Sequence, residues 1–427
     1  MQFGVAKDLI TPHVATHMGG YGNLFGKYFQ GIHDDLYVKT LLLDDGKTKL
    51  VLVTFDLLFH DYELTQRIAG YLHEKHGVPE QNVVVSYTHT HAGPALKGYD
   101  PGQHSDEYEA LLWDRIASCL DRACVNTFEG RIFFGSVEGD WNMSRRRLVD
   151  GRMVNAPNPE GDKDDTLSIL RVCDAEGRER ALLLNYSCHP VTLGDTLWIS
   201  AEFPGRLCQL LDTKRYGTTA MFFQGAGGDS RPRIAADGEK WKKCTFEEVD
   251  EMASSMADAV GKALHADTLE PIELDLAART FVIKLETEVY PREFFEQVVA
   301  TAGGPAKNEA QLVLDRWDTT DNTIDLHAGL VRLSDNLYLA HMCGEVCYEV
   351  KQVVQEALGD RKLIFVGYGD AIAYIPGDRI LAEGGYEADG SVVEYSLKGK
   401  FRRGINEQVR AAFARTLTEM EVGHAAI

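Results

Sequence analysis

The sequence predicts an α/β fold, with mixed β-sheets flanked by helices and a metal site at the carboxyl ends of strands. Three observations carry this reading. Apolar runs suited to buried strands recur at KLVLVTFDLL (49–58), NVVVSYTH (82–89), RALLLNYSCH (180–189), TTAMFFQG (218–225), NLYLAHMCG (336–344) and KLIFVGYG (362–369). Segments with helical spacing alternate with them. Each run also ends near a Gly, His or Asp, so residues able to carry chemistry gather where strands stop.

Between the first two runs, Leu64, Ile68 and Leu72 are spaced for one helix face, and Gly77 and Pro79 stop it. That gives a strand–helix–strand unit. Thr245 followed by Glu248, then Val249, Met252, Met256 and Val260, reads as a capping box before an amphipathic helix. A third helix, EVCYEVKQVVQEALG, is expected to start at Glu345 and end at Gly359, and NEQVRAAFARTLTEM (406–420) reads as a last one. No repeat or linker divides the chain, so one domain is expected over 1–427, with a subdomain or insertion around 270–330.

Composition narrows the function. The 427 residues are 44% hydrophobic and 26% charged, an ordinary globular balance. Lys plus Arg number 44 against 65 Asp plus Glu, and the net charge of −21 repels nucleic acid and acidic membranes. No long apolar run suits a membrane span, and MQFGVAKDLI lacks a signal peptide's basic start. The expectation is a soluble, cytoplasmic protein that acts on a small molecule or an oligosaccharide. The eight cysteines contain no CxxC pair and are expected reduced and mostly buried; Cys343 and Cys347 read as packing residues rather than ligands.

SYTHTHAGP (86–94) delivers His89 and His91 two apart, on the same side of an extended chain. NYSCHPVTLG (185–194) ends another apolar strand in His189. In CGEVCYEV, Glu345 follows a glycine at a strand-to-helix junction, where a lone Glu also simply favours a helix N-terminus. Two imidazoles and a carboxylate form a catalytic zinc set that leaves a position open.

These residues resemble the neutral, non-lysosomal ceramidase family, specifically its N-terminal catalytic domain. The resemblance runs through GVAKDLITP, GGYG, GIHDDLYVKTLLLDDG, LVTFDLL, THTHAGP, CHPVTLG with ISAEFPG, FFQGAGGD, GE, and GYGDAIAYIP followed by GGYE. It implies zinc held by His89, His189, Glu345 and Tyr374. Tyr368 and Tyr386 lie nearby, and the family's Asn-x-Tyr stands here as Gly369, Asp370 and Ala371; counting back from YIP selects Tyr374. As an alternative, the Tyr374 phenol hydrogen-bonds a reaction intermediate. The resemblance also implies an active-site arginine in NMSRRRLVDG, at Arg145, which binds an anion or polarises a carbonyl.

Two departures matter. In FFQGAGGDSRPR, Arg231 stands before Pro232 where the family carries an active-site serine, and Ser230 is displaced by one position. Ceramidases resembling this chain also carry a C-terminal β-rich domain and usually an export signal, neither of which is read here. A soluble substrate is therefore favoured over a membrane lipid.

The economical chemistry is zinc-assisted hydrolysis of an amide or ester. In it His91 transfers a proton or hydrogen-bonds an intermediate, Arg145 stabilises charge, and Arg231 and Ser230 bind substrate. Asp56 and Glu202 are candidates to orient the histidines. Two alternatives stay open: a zinc-assisted lyase performing β-elimination on a uronic-acid saccharide, and a metal- or ligand-binding protein without turnover.

Overall fold

The computed structural model describes residues 1–97, 102–370 and 372–425. The sequence strands form where expected, over Lys49–Phe55, Val83–Tyr87, Glu179–Tyr186, Thr219–Gln224, Leu337–Met342 and Lys362–Val366, most of them shorter than read and one beginning a residue earlier, at Glu179. Their side chains are buried on both faces, which is why they read as continuous apolar runs.

The larger sheet runs Thr219–Gln224, Glu179–Tyr186, Thr166–Asp174, Thr127–Glu138, Gln2–Leu9, Tyr37–Asp44, Lys49–Phe55 and Val83–Tyr87, with Glu270–Ile272 paired to Thr127–Glu138. It is mixed: the outermost pair at each end is parallel and the pairs between are antiparallel. The second sheet runs Lys362–Val366, Leu337–Met342, Thr323–Ser334, Ala277–Val289 and Gly399–Phe401.

The sheets share one core. Leu41, Leu52, Leu170, Leu183 and Phe223 of the first pack in one cluster with Val331, Leu333, Leu339, Ile364 and Val366 of the second. Polar clamps fix the stacking: Asn185 Nδ2 donates to Phe223 O at 3.0 Å and to Phe365 O at 2.8 Å, and Ser86 Oγ donates to Gly367 O at 3.0 Å. Helices occupy the outer faces. Tyr62–His76 and Asp106–Val125 cover part of the first sheet, Glu202–Lys214 and Phe246–His265 cover its other end, and Tyr348–Leu358 with Ile405–Ala425 covers the second. The α/β class and the mixed sheets flanked by helices are thus as read from sequence.

The local signals are explicit. Asp61 caps the first helix by accepting from Leu64 N, and Gly77 ends it in the left-handed region. The capping box of Thr245 and Glu248 forms. Residues 270–330 contribute two long strands to the second sheet, with helices Arg292–Thr301 and Gly304–Asp315 between them. One expectation needs correction: the helix begins at Tyr348, not Glu345. Glu345–Val346 is a short strand parallel to Tyr374–Ile375. The backbone N–H of Glu345 is drawn to Ala373 O at 2.8 Å, so the chain stays extended for three residues past Gly344. Among the described residues no helix is long and apolar enough to cross a membrane.

Candidate metal centre

His89 lies two residues beyond strand Val83–Tyr87, His189 three beyond Glu179–Tyr186, and Glu345 three beyond Leu337–Met342. Each leaves its strand with its backbone pinned. Thr88 N donates to Phe55 O at 2.8 Å and His89 N to Leu57 O at 2.9 Å, which holds His89 at a φ of 67°. A left-handed conformation in a non-glycine residue is costly and persists where the surroundings over-determine it. Behind His189 the chain Gly225–Gly228 folds closely. A Cβ on Gly228 would stand 2.6 Å from Glu345 O, so only glycine lets this loop seat against the Glu345 strand.

The three imidazoles converge. Nε2 of His89 lies 3.1 Å from Nε2 of His189 and 3.0 Å from Nε2 of His91, and the His91–His189 separation is 3.2 Å. Glu345 Oε2 is 3.4 Å from His89 Nε2 and 3.3 Å from His189 Nε2. The opposite ring nitrogens settle the tautomers: His89 Nδ1 faces Leu58 O at 3.1 Å, His91 Nδ1 faces Gly20 O at 2.8 Å, and His189 Nδ1 faces Gly227 O at 3.3 Å. A carbonyl oxygen only accepts, so each Nδ1 donates, and in the neutral ring each Nε2 is left with its lone pair toward the others. Three lone pairs and a carboxylate oxygen aimed at one point repel unless a cation lies among them. Donors ~2.1 Å from a tetrahedral zinc stand ~3.4 Å apart, so the spacing fits such an ion. Burial holds His91 and His189 neutral, well below the ordinary imidazole pKa, and the neighbouring His89 adds to the effect for both. Glu345 Oε2 has no hydrogen-bond partner among the described residues, while its Oε1 accepts from the Tyr395 hydroxyl. The free oxygen is thus the one turned to the histidines.

The family described as neutral/alkaline non-lysosomal ceramidase, N-terminal, matches residues 1–274. The chain belongs to this family. Neutral ceramidase from Pseudomonas aeruginosa is 27% identical over 250 residues, an alignment that takes in 55% of this chain and 37% of that protein. Two solved structures share the fold across nearly the whole chain. The crystal structure of neutral ceramidase from Pseudomonas aeruginosa has a TM-score of 0.75 at 18% identity, covering 97% of this chain and 73% of that one. A ceramidase complexed with C2 has a TM-score of 0.76 at 18% identity, covering 98% and 75%.

In this ceramidase-family chain the histidine cluster opens into a cavity of about 720 Å³. His91, His189, Glu345, Tyr374, Arg145 and Arg231 all line it, as do residues 303–306 ahead of and within the helix Gly304–Asp315. Tyr374 stands to one side of the histidines: its ring is stacked against His189 at 6.4 Å between centroids, and the Arg145 guanidinium lies 5.1 Å from its centre. The phenol nearest the cluster by hydrogen bonding is that of Tyr368, 3.3 Å from His189 Nδ1. Ala371 lies outside the described residues.

Arg145 is buried, with Nε donating to Glu387 Oε1 at 2.7 Å and Nη2 without a hydrogen-bond partner among the described residues. Glu387 also receives Arg146 Nη1, and the two guanidiniums outweigh burial to hold its carboxyl below the usual range. Sequence reasoning did not single out Glu387; the GGYE motif was its only trace.

Ser230 and Arg231 separate. The Ser230 hydroxyl is buried and donates to Ser187 O at 3.1 Å, away from the cavity, whereas Arg231 faces into it. Asp56 is not beside the histidines: it accepts from Tyr37 N at 3.0 Å and pairs with Lys39 at 3.5 Å. Glu202 Oε1 accepts from Leu193 N at 2.8 Å, bracing the loop that follows His189.

Proposed function

We propose that this chain is a zinc-dependent hydrolase acting on an amide or ester bond of a soluble small molecule. The observation that carries the reading is the convergence of the Nε2 atoms of His89, His91 and His189 with the free Oε2 of Glu345, each imidazole locked by a carbonyl on its far nitrogen. His89, His189 and Glu345 would hold the ion. His91, expected from sequence to move protons, stands equally close and would serve as a further ligand. Tyr374 would act on the Arg145 side rather than as the primary donor.

Zinc in such a set is a Lewis acid that lowers the pKa of water and polarises a carbonyl. The protein's own residues supply the rest. Arg145 Nη2, buried and without a hydrogen-bond partner among the described residues, would donate to oxygen as the carbonyl carbon becomes tetrahedral. Glu387 fixes the Arg145 fork, and Tyr395 fixes Glu345. Tyr21 and Phe25 help enclose the substrate and limit water. The name of the Pseudomonas aeruginosa relative supports an amide as the bond broken. Eight unpaired cysteines support the expected cytoplasmic location.

The test is metal content together with turnover. Purified protein is expected to carry about one zinc per chain, and chelation is expected to abolish hydrolysis of N-acyl substrates until zinc is restored. Unchanged metal content in a His89→Ala/His189→Ala double variant would sink the proposal.

A further inference from the structure

Of the two arginines in the cavity wall, Arg231 has no salt-bridge partner among the described residues. The other does: Arg145 pairs with Glu387 at 2.7 Å, and among nearby arginines Arg146, Arg147 and Arg233 pair with Glu387 and Glu383, Glu239, and Asp140 respectively. Arg231 Nη2 donates only to the carbonyl of Val191 at 3.3 Å, and its Nε is buried with no hydrogen-bond partner among the described residues. In a chain of net charge −21, carboxylates are abundant, so a largely enclosed guanidinium without one is an exception.

Its orientation is built rather than incidental. The strand Ser230–Pro232 pairs with Asn142–Ser144, and alternation sends Ser230 inward and Arg231 to the cavity. The guanidinium lies 4.8 Å from the centre of the Trp241 ring, and Trp241 Nε1 donates to Asn155 Oδ1 at 3.0 Å, which fixes the stacking surface. Glu202, an acidic group whose field reaches Arg231, accepts from Leu193 N through Oε1, its Oε2 is buried without a hydrogen-bond partner, and among the described residues it forms no salt bridge with Arg231. Tyr21 is also near, and burial raises its hydroxyl pKa, so it stays neutral. Arg231 and the free Nη2 of Arg145 line the same cavity as His91 and His189.

We infer that Arg231 is the specificity residue of this site and that the substrate presents it with an oxyanion, a carboxylate or sulfate group, while the bond to be broken lies at the histidine cluster. This rests on the metal-hydrolase reading for the second clause only. A planar guanidinium held on an indole matches an oxyanion through directed N–H donors, whereas an uncharged polar group leaves the cation uncompensated.

The experiment is isothermal titration of the zinc-loaded protein with D-glucuronate, with D-glucose as the uncharged control and inorganic sulfate as a second source of oxyanion. Wild type is expected to bind glucuronate at least tenfold more tightly than glucose, and sulfate is expected to compete. Arg231→Gln should lose at least tenfold for glucuronate with glucose unchanged, and Arg231→Lys should recover part of that loss. Zinc content and the near-ultraviolet circular dichroism of each variant should match wild type, which separates loss of a contact from misfolding. Equal affinity for glucuronate and glucose, no measurable oxyanion binding, or an unaltered Arg231→Gln variant overturns the inference. Failure of the protein to take up zinc overturns the hydrolase reading instead, because Arg231 is not among the metal donors.

Discussion

His89 shows how one residue can carry both backbone strain and chemistry. Its φ of 67° suits Asn far better than a β-branched residue, so His89→Asn is the informative replacement. It is expected to fold like wild type and to lose at least tenfold in zinc affinity, as measured by competition with a chromophoric chelator. Glu387→Gln tests the opposite case. It weakens pairs to two buried arginines and is expected to cost about 3–5 kcal/mol, read from denaturant unfolding. Asp370 supplies a pH signature. Burial pushes its carboxyl from an ordinary 3.8 up to about 7, with Cys343 opposing and Asp61 adding. The folded state therefore prefers the protonated acid: its contribution is complete below about pH 4 and is lost as pH rises through about 7. Asp370→Asn should remove that decline and gain stability relative to wild type above pH 7, in thermal melts across the range. His89 and His189 were legible because apolar runs end at them. Glu387 and Tyr395 were not, since their partners lie at Arg145 and Glu345 and no periodicity links residues so far apart in sequence.

At the level of elements, the strong signals were those with a local physical cause. The Thr245–Glu248 box forms as read, and Thr245→Ala is expected to lower stability by about 1 kcal/mol, measured as a shift in the denaturant midpoint at unchanged slope. Strand cores were right while most of their ends ran one to three residues too far, because the apolar pattern continues into buried loops. Glu345 was misplaced for an instructive reason. Its sequence has helix-forming neighbours, but the two bonds that hold it extended come from Ala373 and the pairing with Tyr374, which only the tertiary fold brings near. Ser230 behaves likewise: expected from sequence to bind substrate, it instead spends its hydroxyl on Ser187 O, an acceptor that only the tertiary fold brings near, and does not line the cavity.

Across the whole molecule, the shared core between the sheets predicts a single cooperative unfolding transition. Leu339→Ala, at a fully buried position of that core, is expected to cost about 2–5 kcal/mol and to shift near- and far-ultraviolet transitions together. Separate shifts would instead reveal two independent units. The overall α/β architecture was readable because helix and strand periods alternate cleanly; which sheet faced which was not, because stacking depends on clamps such as Asn185 to Phe365. The site itself straddles that stacking. All three histidines lie within residues 1–274, the part that matches the family, whereas Glu345, Tyr374 and Glu387 come from beyond it, on or beside the second sheet. A fragment cut at the edge of the family match would keep the nitrogens and lose the carboxylate together with the brace on Arg145. Inheritance of the recognisable segment alone therefore does not transmit the centre, and any shuffling of these halves between relatives must move the two sheets as a pair.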